Sequence, residues 1–338
     1  MLTVLACIFV FGILISVHEF GHFICAKLTG MRVDEFSIGF GPELYSNQDG
    51  ETLYSLRAIP LGGYNKIAGM DPGDPVDDRS FKAKPLPARM LVILAGSFMN
   101  ILLPVLIFWV LFMTEGIGMP VDKPVLGRVV PGYAAAESGL LPEDKVLSVN
   151  GKAVTSWQEM RTQLLAGGMQ PLELKIQRQD LVKTYTVTPR ANPETGKPFI
   201  GVVAKMDKQR LGPVTALKTS VIATADTIKE MLTALYKMVT GKTAAEVSGP
   251  IGVAKMAGQV AHQGISMLFQ FTALLSLNLA VINLLPLPAL DGGHFFLLLW
   301  EGVTGRKVGE KAMQNIQTAG IIMILAITIF ATYKDLLR

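Results

Sequence analysis

The sequence His18-Glu19-Phe20-Gly21-His22 follows an apolar run, residues 2–17, that carries no charge. An apolar helix of this kind enters a membrane, and two histidines and a glutamate placed there constrain the fold more than any other feature. Ionisable side chains within a bilayer are costly and mark function. Histidines four apart on a helix share one face and can grip a single divalent cation. Glu19 is rotated off that face and stays free to accept a proton. A cation lowers the pKa of water and polarises a carbonyl, and a nearby carboxylate takes the proton, so the pattern points to metal-assisted hydrolysis. The plainer alternative is a pair of buried histidines hydrogen-bonded to neighbouring helices. Of the four histidines in the chain, two lie in this motif.

Half of the 338 residues are apolar and 17% are charged, whereas a soluble domain is about a quarter charged. The chain therefore reads as a polytopic α-helical membrane protein with room for one further domain. Its net charge of +4, without a long basic run or aromatic–basic interleaving, implies no nucleic-acid partner. Cys7 and Cys25 lie on one helix about 27 Å apart along its axis, so they cannot pair with each other. The N-terminus lacks a basic stretch and a small-x-small cleavage site before the histidines, and reads as a retained first span.

Three parts follow from the pattern. Residues 1–119 hold a first span over 2–26, a polar segment over 27–89 and a second span over 90–114. Within the polar segment, 31–46 and 51–68 alternate as a β-hairpin, with Asn47-Gln48-Asp49-Gly50 as its turn. Ile59-Pro60-Leu61-Gly62-Gly63-Tyr64 requires a bend or a close backbone approach, or is an ordinary turn. In the second span Gly96 and Asn100 share a face, which suits a tight helix crossing bridged by an amide or simple helix packing.

Residues 120–205 have a soluble composition, with strands expected over 125–130, 145–149, 172–176 and 184–187, a tight turn at Asn150-Gly151 and a short helix over 156–166. Residues 206–338 begin with amphipathic helices broken at Ser248-Gly249-Pro250-Ile251-Gly252. A third span follows from about 266 to Pro286, then a short helix near 294–302 and a last span over about 316–333.

Eight basic residues fall in 27–89 and three in 303–315, which puts both segments on the cytoplasmic side and the 120–205 domain outside. Lys334 and Arg338 lean weakly the other way.

A catalytic zinc site usually takes a third protein ligand. The other dense polar cluster at membrane depth is Asn283-Leu284-Leu285-Pro286-Leu287-Pro288-Ala289-Leu290-Asp291-Gly292-Gly293-His294. Its prolines break the helix, which is tolerated there only inside protein or beside a cavity. His18 is about 24 Å of helix rise beyond Leu2, and spans one and three run the same way, so Asp291 meets the histidines near the cytoplasmic face. Asp291 is the expected third ligand and His294 a rival or a supporting donor. A helix N-cap is the plain role for Asp291. His262 reads as structural.

These motifs resemble the site-2 proteases, intramembrane zinc metalloproteases, and in particular the bacterial branch with a PDZ domain, typified by the regulator of sigma-E protease. The marks are His18-Glu19-x-x-His22, Gly96-x-x-x-Asn100 and Asn283-x-x-Pro286-x-Pro288-x-Leu290-Asp291-Gly292, joined by Pro60-Leu61-Gly62-Gly63-Tyr64 and the Ser248–Gly252 segment. The resemblance implies a bacterial inner-membrane enzyme that cuts within transmembrane segments of membrane proteins, such as anti-sigma factors or remnant signal peptides. It implies Zn²⁺ held by His18, His22 and Asp291, with Glu19 as the catalytic base. It also implies a PDZ-like α+β domain at 120–205 that meets a peptide or ectodomain, and a membrane-associated sheet that receives the substrate as an added strand near Gly62, Gly63 and Tyr64. Asn283 and Asn100 are candidate substrate contacts, and helix–helix bonding is the alternative role for Asn283. Some members carry two PDZ domains, and this chain has room for one. Two other classes remain: a membrane metal-ion transporter, and a non-catalytic PDZ receptor with a structural metal.

Overall fold

Helix α1 (Leu2–Leu28) carries the His-Glu-x-x-His motif and ends at Thr29, whose hydroxyl donates to the carbonyls of Cys25 and Ala26. The computed structural model describes residues 1–71, 73–192, 196–243 and 249–337. They fall into two compact units, Met1–Leu111 with Gly212–Arg338, and Phe112–Leu211. Among the described residues, four helices are long and apolar enough to cross a membrane: Leu2–Leu28, Leu86–Thr114, Ile265–Asn283 and Lys311–Leu337.

After α1 come β1 (Val33–Asp49) and β2 (Thr52–Ile67). Pairing continues to Asp49 opposite Thr52, so the turn is Gly50-Glu51 rather than the expected Asn47–Gly50. Gly50, at φ +59°, supplies the positive angle that lets so short a turn close. The two long strands bend and pair more than once. Val33–Ile38 lies against Gly63–Ile67 in antiparallel sense. On its other side the same stretch meets Leu53–Leu56, where Glu35 faces Leu53 and Ile38 faces Leu56, so the numbers rise together. Glu43–Asp49 then closes against Thr52–Arg57, which leaves Gly63–Ile67 at one edge of the folded hairpin. Gly39, at φ +94°, makes one bend; a β-carbon there would press on the carbonyls of Arg57 and Ile59. Phe23 of α1 packs on Phe36 and Tyr54 with ring centroids 5.0 and 5.9 Å away, which fastens the hairpin to the helix.

Helix α2 (Leu86–Thr114) follows a short 3-10 turn at Phe81–Ala83. The second unit then holds β3 (Ile117–Pro120), β4 (Leu126–Val129), α3 (Ala134–Glu137), β5 (Lys145–Val149), β6 (Lys152–Ala153), α4 (Trp157–Ala166), β7 (Leu172–Arg178), β8 (Leu181–Val187), β9 (Arg190–Ala191), β10 (Pro198–Phe199), β11 (Val202–Ala204) and β12 (Met206–Gln209). Four strands form a sheet in the order β6-β5-β7-β8, while β3 pairs with β12, β4 with β11 and β9 with β10. Asn150 and Gly151 both take positive φ, as a tight hairpin turn requires. Ser156 caps α4 by accepting from the Glu159 amide, and Glu159 accepts from the Thr155 amide. Leu126, Val146, Leu172, Leu174, Ile176 and Val187 are buried in one core. Truncating one of these leucines to alanine costs about 2–5 kcal/mol.

The chain continues as α5 (Pro213–Val239), α6 (Pro250–Gln263), α7 (Ile265–Asn283), α8 (Asp291–Thr304) and α9 (Glu310–Leu337). The expected break at Ser248–Gly252 is the start of α6, with Gly249 as its N-cap and Pro250 in the first turn; Ser248 lies outside the described residues. The Gly252 amide donates to Asp335 of α9 at 2.7 Å, which pins the helix start.

Candidate metal centre and active site

Two glycines allow α1 and α2 to cross closely. A β-carbon at Gly21 would collide with the Ala95 carbonyl, and one at Gly96 would collide with both His18 and His22. The crossing presses the histidine face of α1 onto α2. There, His22 Nδ1 lies 2.8 Å from the Val92 carbonyl oxygen, to which it donates. That bond fixes the proton on Nδ1 and leaves the Nε2 lone pair facing inward. The Asn100 side-chain amide, fully buried, lies 3.2 Å from His18 Nδ1. The atom facing His18 is Asn100 Nδ2, while Asn100 Oδ1 is buried and unpartnered among the described residues. A histidine that ligates through Nε2 carries its proton on Nδ1, and a half-turn of the amide then presents Oδ1 to accept it.

The third group arrives from the break between α7 and α8. Leu284 still bonds back to Ala280, and Leu287 then makes a tight turn onto Leu285. Gly292 and Gly293 lie so close to the backbone of Leu284–Pro288 that neither tolerates a β-carbon. Gly320 of α9 is pressed in the same way on Pro288. Leu290 is the N-cap of α8 and Asp291 its first helical residue, so Asp291 is not the cap.

The result is one cluster. The Nε2 atoms of His18 and His22 are 3.2 Å apart, and Asp291 Oδ2 is 3.4 Å from the first and 3.6 Å from the second. A tetrahedral cation with bonds of about 2.0–2.1 Å sets its ligand atoms about 3.3–3.4 Å apart. The three atoms therefore fit a zinc ion, and Asp291 Oδ2 is buried without a hydrogen-bond donor among the described residues. Among the described residues this is the one group of three His, Cys, Asp or Glu side chains close enough to share a metal, and it does not include His294. His294 instead lines a cavity with Arg89 and Glu301.

Glu19 lies to one side of the cluster, against β2. The Asn65 amide donates to the Glu19 carboxylate and to the Glu19 backbone carbonyl, each at 2.7 Å. Gly63, on the same face of the strand, is where a β-carbon would press on Glu19. Sequence reasoning missed Asn65. Its one signal was position, directly after the Gly62-Gly63-Tyr64 segment.

The expected substrate contacts divide. Gly63 reaches Glu19. Gly62 packs on the Phe40 ring, with no room for a β-carbon. Tyr64 turns to the opposite face, stacked on Phe40 with ring centroids 6.4 Å apart and Arg57 over its ring. The fold thus directs Tyr64 away from the Glu19 side. Asn100 is buried against His18. Asn283 is buried at the last residue of α7.

Ion pairs hold the surroundings. Arg89 clamps Glu301 in a two-pronged bond at 2.7 and 3.0 Å, joining α2 to α8. This guanidinium keeps the Glu301 carboxyl below its usual range. At the hairpin turn, Glu51 accepts from Arg79 and from Lys27 at the end of α1, and its pKa falls to about 2.

With this geometry in place, the class is a polytopic membrane metallopeptidase. The model of peptidase family M50 matches residues 6–327, so the chain belongs to that family. It is a zinc metalloprotease of the site-2 type, acting in intramembrane proteolysis. Its relatives include a Clostridium perfringens protein whose name carries the words zinc metalloprotease, 37% identical over 330 residues, covering 97% of this chain and 96% of the relative. The zinc metalloprotease RasP of Geobacillus kaustophilus is 31% identical over 415 residues, covering 99% and 97%. The regulator of sigma-W protease RasP of Bacillus subtilis is 28% identical over 417 residues, covering 99% and 98%. The last two alignments are longer than this 338-residue chain, so both relatives carry inserted residues.

Proposed function

We propose that His18, His22 and Asp291 hold the zinc of this peptidase, and that Glu19 takes a proton from water and hands it to the leaving amine of a peptide bond within a transmembrane segment. The observation that carries this reading is the convergence of two imidazole nitrogens and one carboxylate oxygen at 3.2–3.6 Å, with Glu19 outside the ligand set. Zinc, when bound, polarises the scissile carbonyl and makes water acidic. The chain's own residues do the rest. The Val92 carbonyl and Asn100 fix the tautomers and ring planes. Gly96 lets both rings reach the centre. A carboxylate in Glu19's place accepts and returns the proton.

A helical substrate hides its amides in its own hydrogen bonds and must unwind to be cut. The Gly63–Ile67 edge of β2 offers a strand to which the unwound segment can add. Asn283 then bonds the exposed substrate backbone or the developing oxyanion. The 120–205 segment acts as a PDZ-like filter. Its own cavity runs between α4 and β11, lined by Trp157, Arg161, Leu164, Phe199 and Val203, and among the described residues β11 pairs with β4 alone. An extended peptide fits there as an added strand. The distribution of basic residues supports a bacterial inner-membrane protein with the zinc site toward the cytoplasm and this domain outside. The relative named as a regulator of sigma-W supports a substrate in sigma-factor control, the class the family resemblance gives as anti-sigma factors.

The test pairs zinc content with cleavage. Wild type is expected to bind about one zinc per chain. Asp291→Ala and His22→Ala should lose zinc and activity together, and Glu19→Gln should keep zinc and lose turnover. An active, fully loaded Asp291→Ala protein would overturn the ligand set and bring His294 forward.

A further inference from the structure

Glu19 needs a partner. A carboxylate with free side-chain torsions samples several orientations, and a base misaimed by about 1 Å can cost about 100-fold in rate. The ligand face of α1 cannot restrain it, because Glu19 is turned away from that face.

One side chain supplies the restraint. Asn65 sits on the Gly63–Ile67 edge of β2, and its Nδ2 donates twice, to Glu19 Oε2 and to the Glu19 backbone carbonyl, both at 2.7 Å. The two bonds form a fork that spans backbone and carboxylate, so they set the carboxylate's direction relative to its own helix. Gly63 removes the β-carbon that would otherwise push on Glu19 from the same strand. Asn65 Oδ1 is buried and has no donor among the described residues. A buried acceptor without a partner is unfavourable, so a strand edge that bears one beside the base is prepared for a donor from outside. An unwound peptide lying along that edge brings backbone N–H groups.

We propose that Asn65 is a positioning residue: its Nδ2 aims the Glu19 carboxylate, and its Oδ1 takes a hydrogen bond from a backbone N–H of the substrate strand. Strand addition and alignment of the base are thereby one event, reported through one amide. The inference rests on Glu19 being the base and extends that reading to the strand that feeds it.

The experiment uses the full-length protein in detergent or nanodiscs with one transmembrane-segment substrate, and measures zinc content, kcat and KM. Asn65→Asp keeps the shape and an acceptor but loses the Nδ2 donor, so kcat should fall about 10- to 100-fold with KM within about twofold and zinc unchanged. Asn65→Ala loses both functions and should also raise KM. Asn65→Gln, which retains donor and acceptor on a longer arm, should recover part of the kcat lost in Asn65→Ala. Wild-type kcat in Asn65→Asp overturns the proposal. So does loss of zinc in that variant, which would make Asn65 a prop for the hairpin. Should Asn65→Ala fail to fold, the isosteric Asn65→Asp protein decides the matter alone. Glu19→Gln is run beside them: if it is fully active, the reading of Glu19 as base fails, whereas an inactive Glu19→Gln with a normal Asn65→Asp sinks only the role of Asn65.

Discussion

At the scale of single residues, the site depends on atoms that are missing as much as on those present. Gly96 is the clearest case, because a methyl group in its place would occupy the volume of the His22 and His18 rings. Gly96→Ala should therefore shift α1 against α2, at an overpacking cost of about 1–3 kcal/mol, and should weaken zinc binding. Zinc content by metal analysis and the thermal midpoint check this together. A fully loaded, fully active Gly96→Ala protein would show that the crossing has slack the structure does not reveal. The histidine pair and Glu19 were legible from spacing alone, since period 3.6 puts i and i+4 on one face. Asn65 was not legible, because its partner is 46 positions away and no local pattern announces a bond between α1 and β2.

At the scale of elements, the hairpin is tied down by charge. Glu51 at its turn joins Lys27 at the end of α1 and Arg79 in the following loop. Its folded pKa of about 2 lies below the ordinary 4.5. A depressed carboxyl contributes stability above the ordinary value and loses it as pH falls from about 4.5 through about 2. The carboxylate is 29% exposed, so the contribution is that of a partly screened pair, about 1 kcal/mol or less. Thermal midpoints of wild type and Glu51→Gln should differ by a constant margin above about pH 5 and converge toward pH 3. A margin that persisted to pH 3 would assign it to packing rather than charge. Here alternation and β-branched content pointed to two strands. They could not show that each strand bends and pairs more than once, because those pairings depend on Gly39 and Gly62 turning the backbone in space.

At the scale of the whole molecule, every residue assigned to the chemistry belongs to the unit Met1–Leu111 with Gly212–Arg338, and none to Phe112–Leu211. The second unit begins and ends in one antiparallel ladder, in which Pro120 faces Met206 and Ile117 faces Gln209. The two ends of the excisable segment are thus paired neighbours, and a short flexible linker can rejoin them. Replacing residues 125–203 by such a linker should leave zinc bound and a short substrate lacking an ectodomain still cut, and full-length proteins normally refused should now be accepted. Cleavage of both substrates by the linker variant and by wild type gives the comparison. If zinc stays bound but the short substrate is no longer cut, the domain is part of the catalytic machinery and the filter reading is wrong.

By itself the sequence determined the class of protein and the chemistry. Apolar runs of bilayer length point to helices, and two histidines at i and i+4 with a glutamate between them point to a metal face, with a buried, hydrogen-bonded pair as the plainer reading. The prolines of Asn283–His294 likewise announced a broken helix carrying a carboxylate. Tertiary structure alone decided which long-range partners those groups meet. Asp291 reaches the histidines because Gly292 and Gly293 allow a turn too tight for side chains and Gly320 lets α9 close over Pro288. Asn100 meets His18 and Tyr64 meets Phe40 because each lies on a face that only the packed helices and the bent hairpin define. Local periodicity fixes the face of an element, while the neighbour across it comes from elsewhere in the chain, and that pairing exists only once the fold has closed.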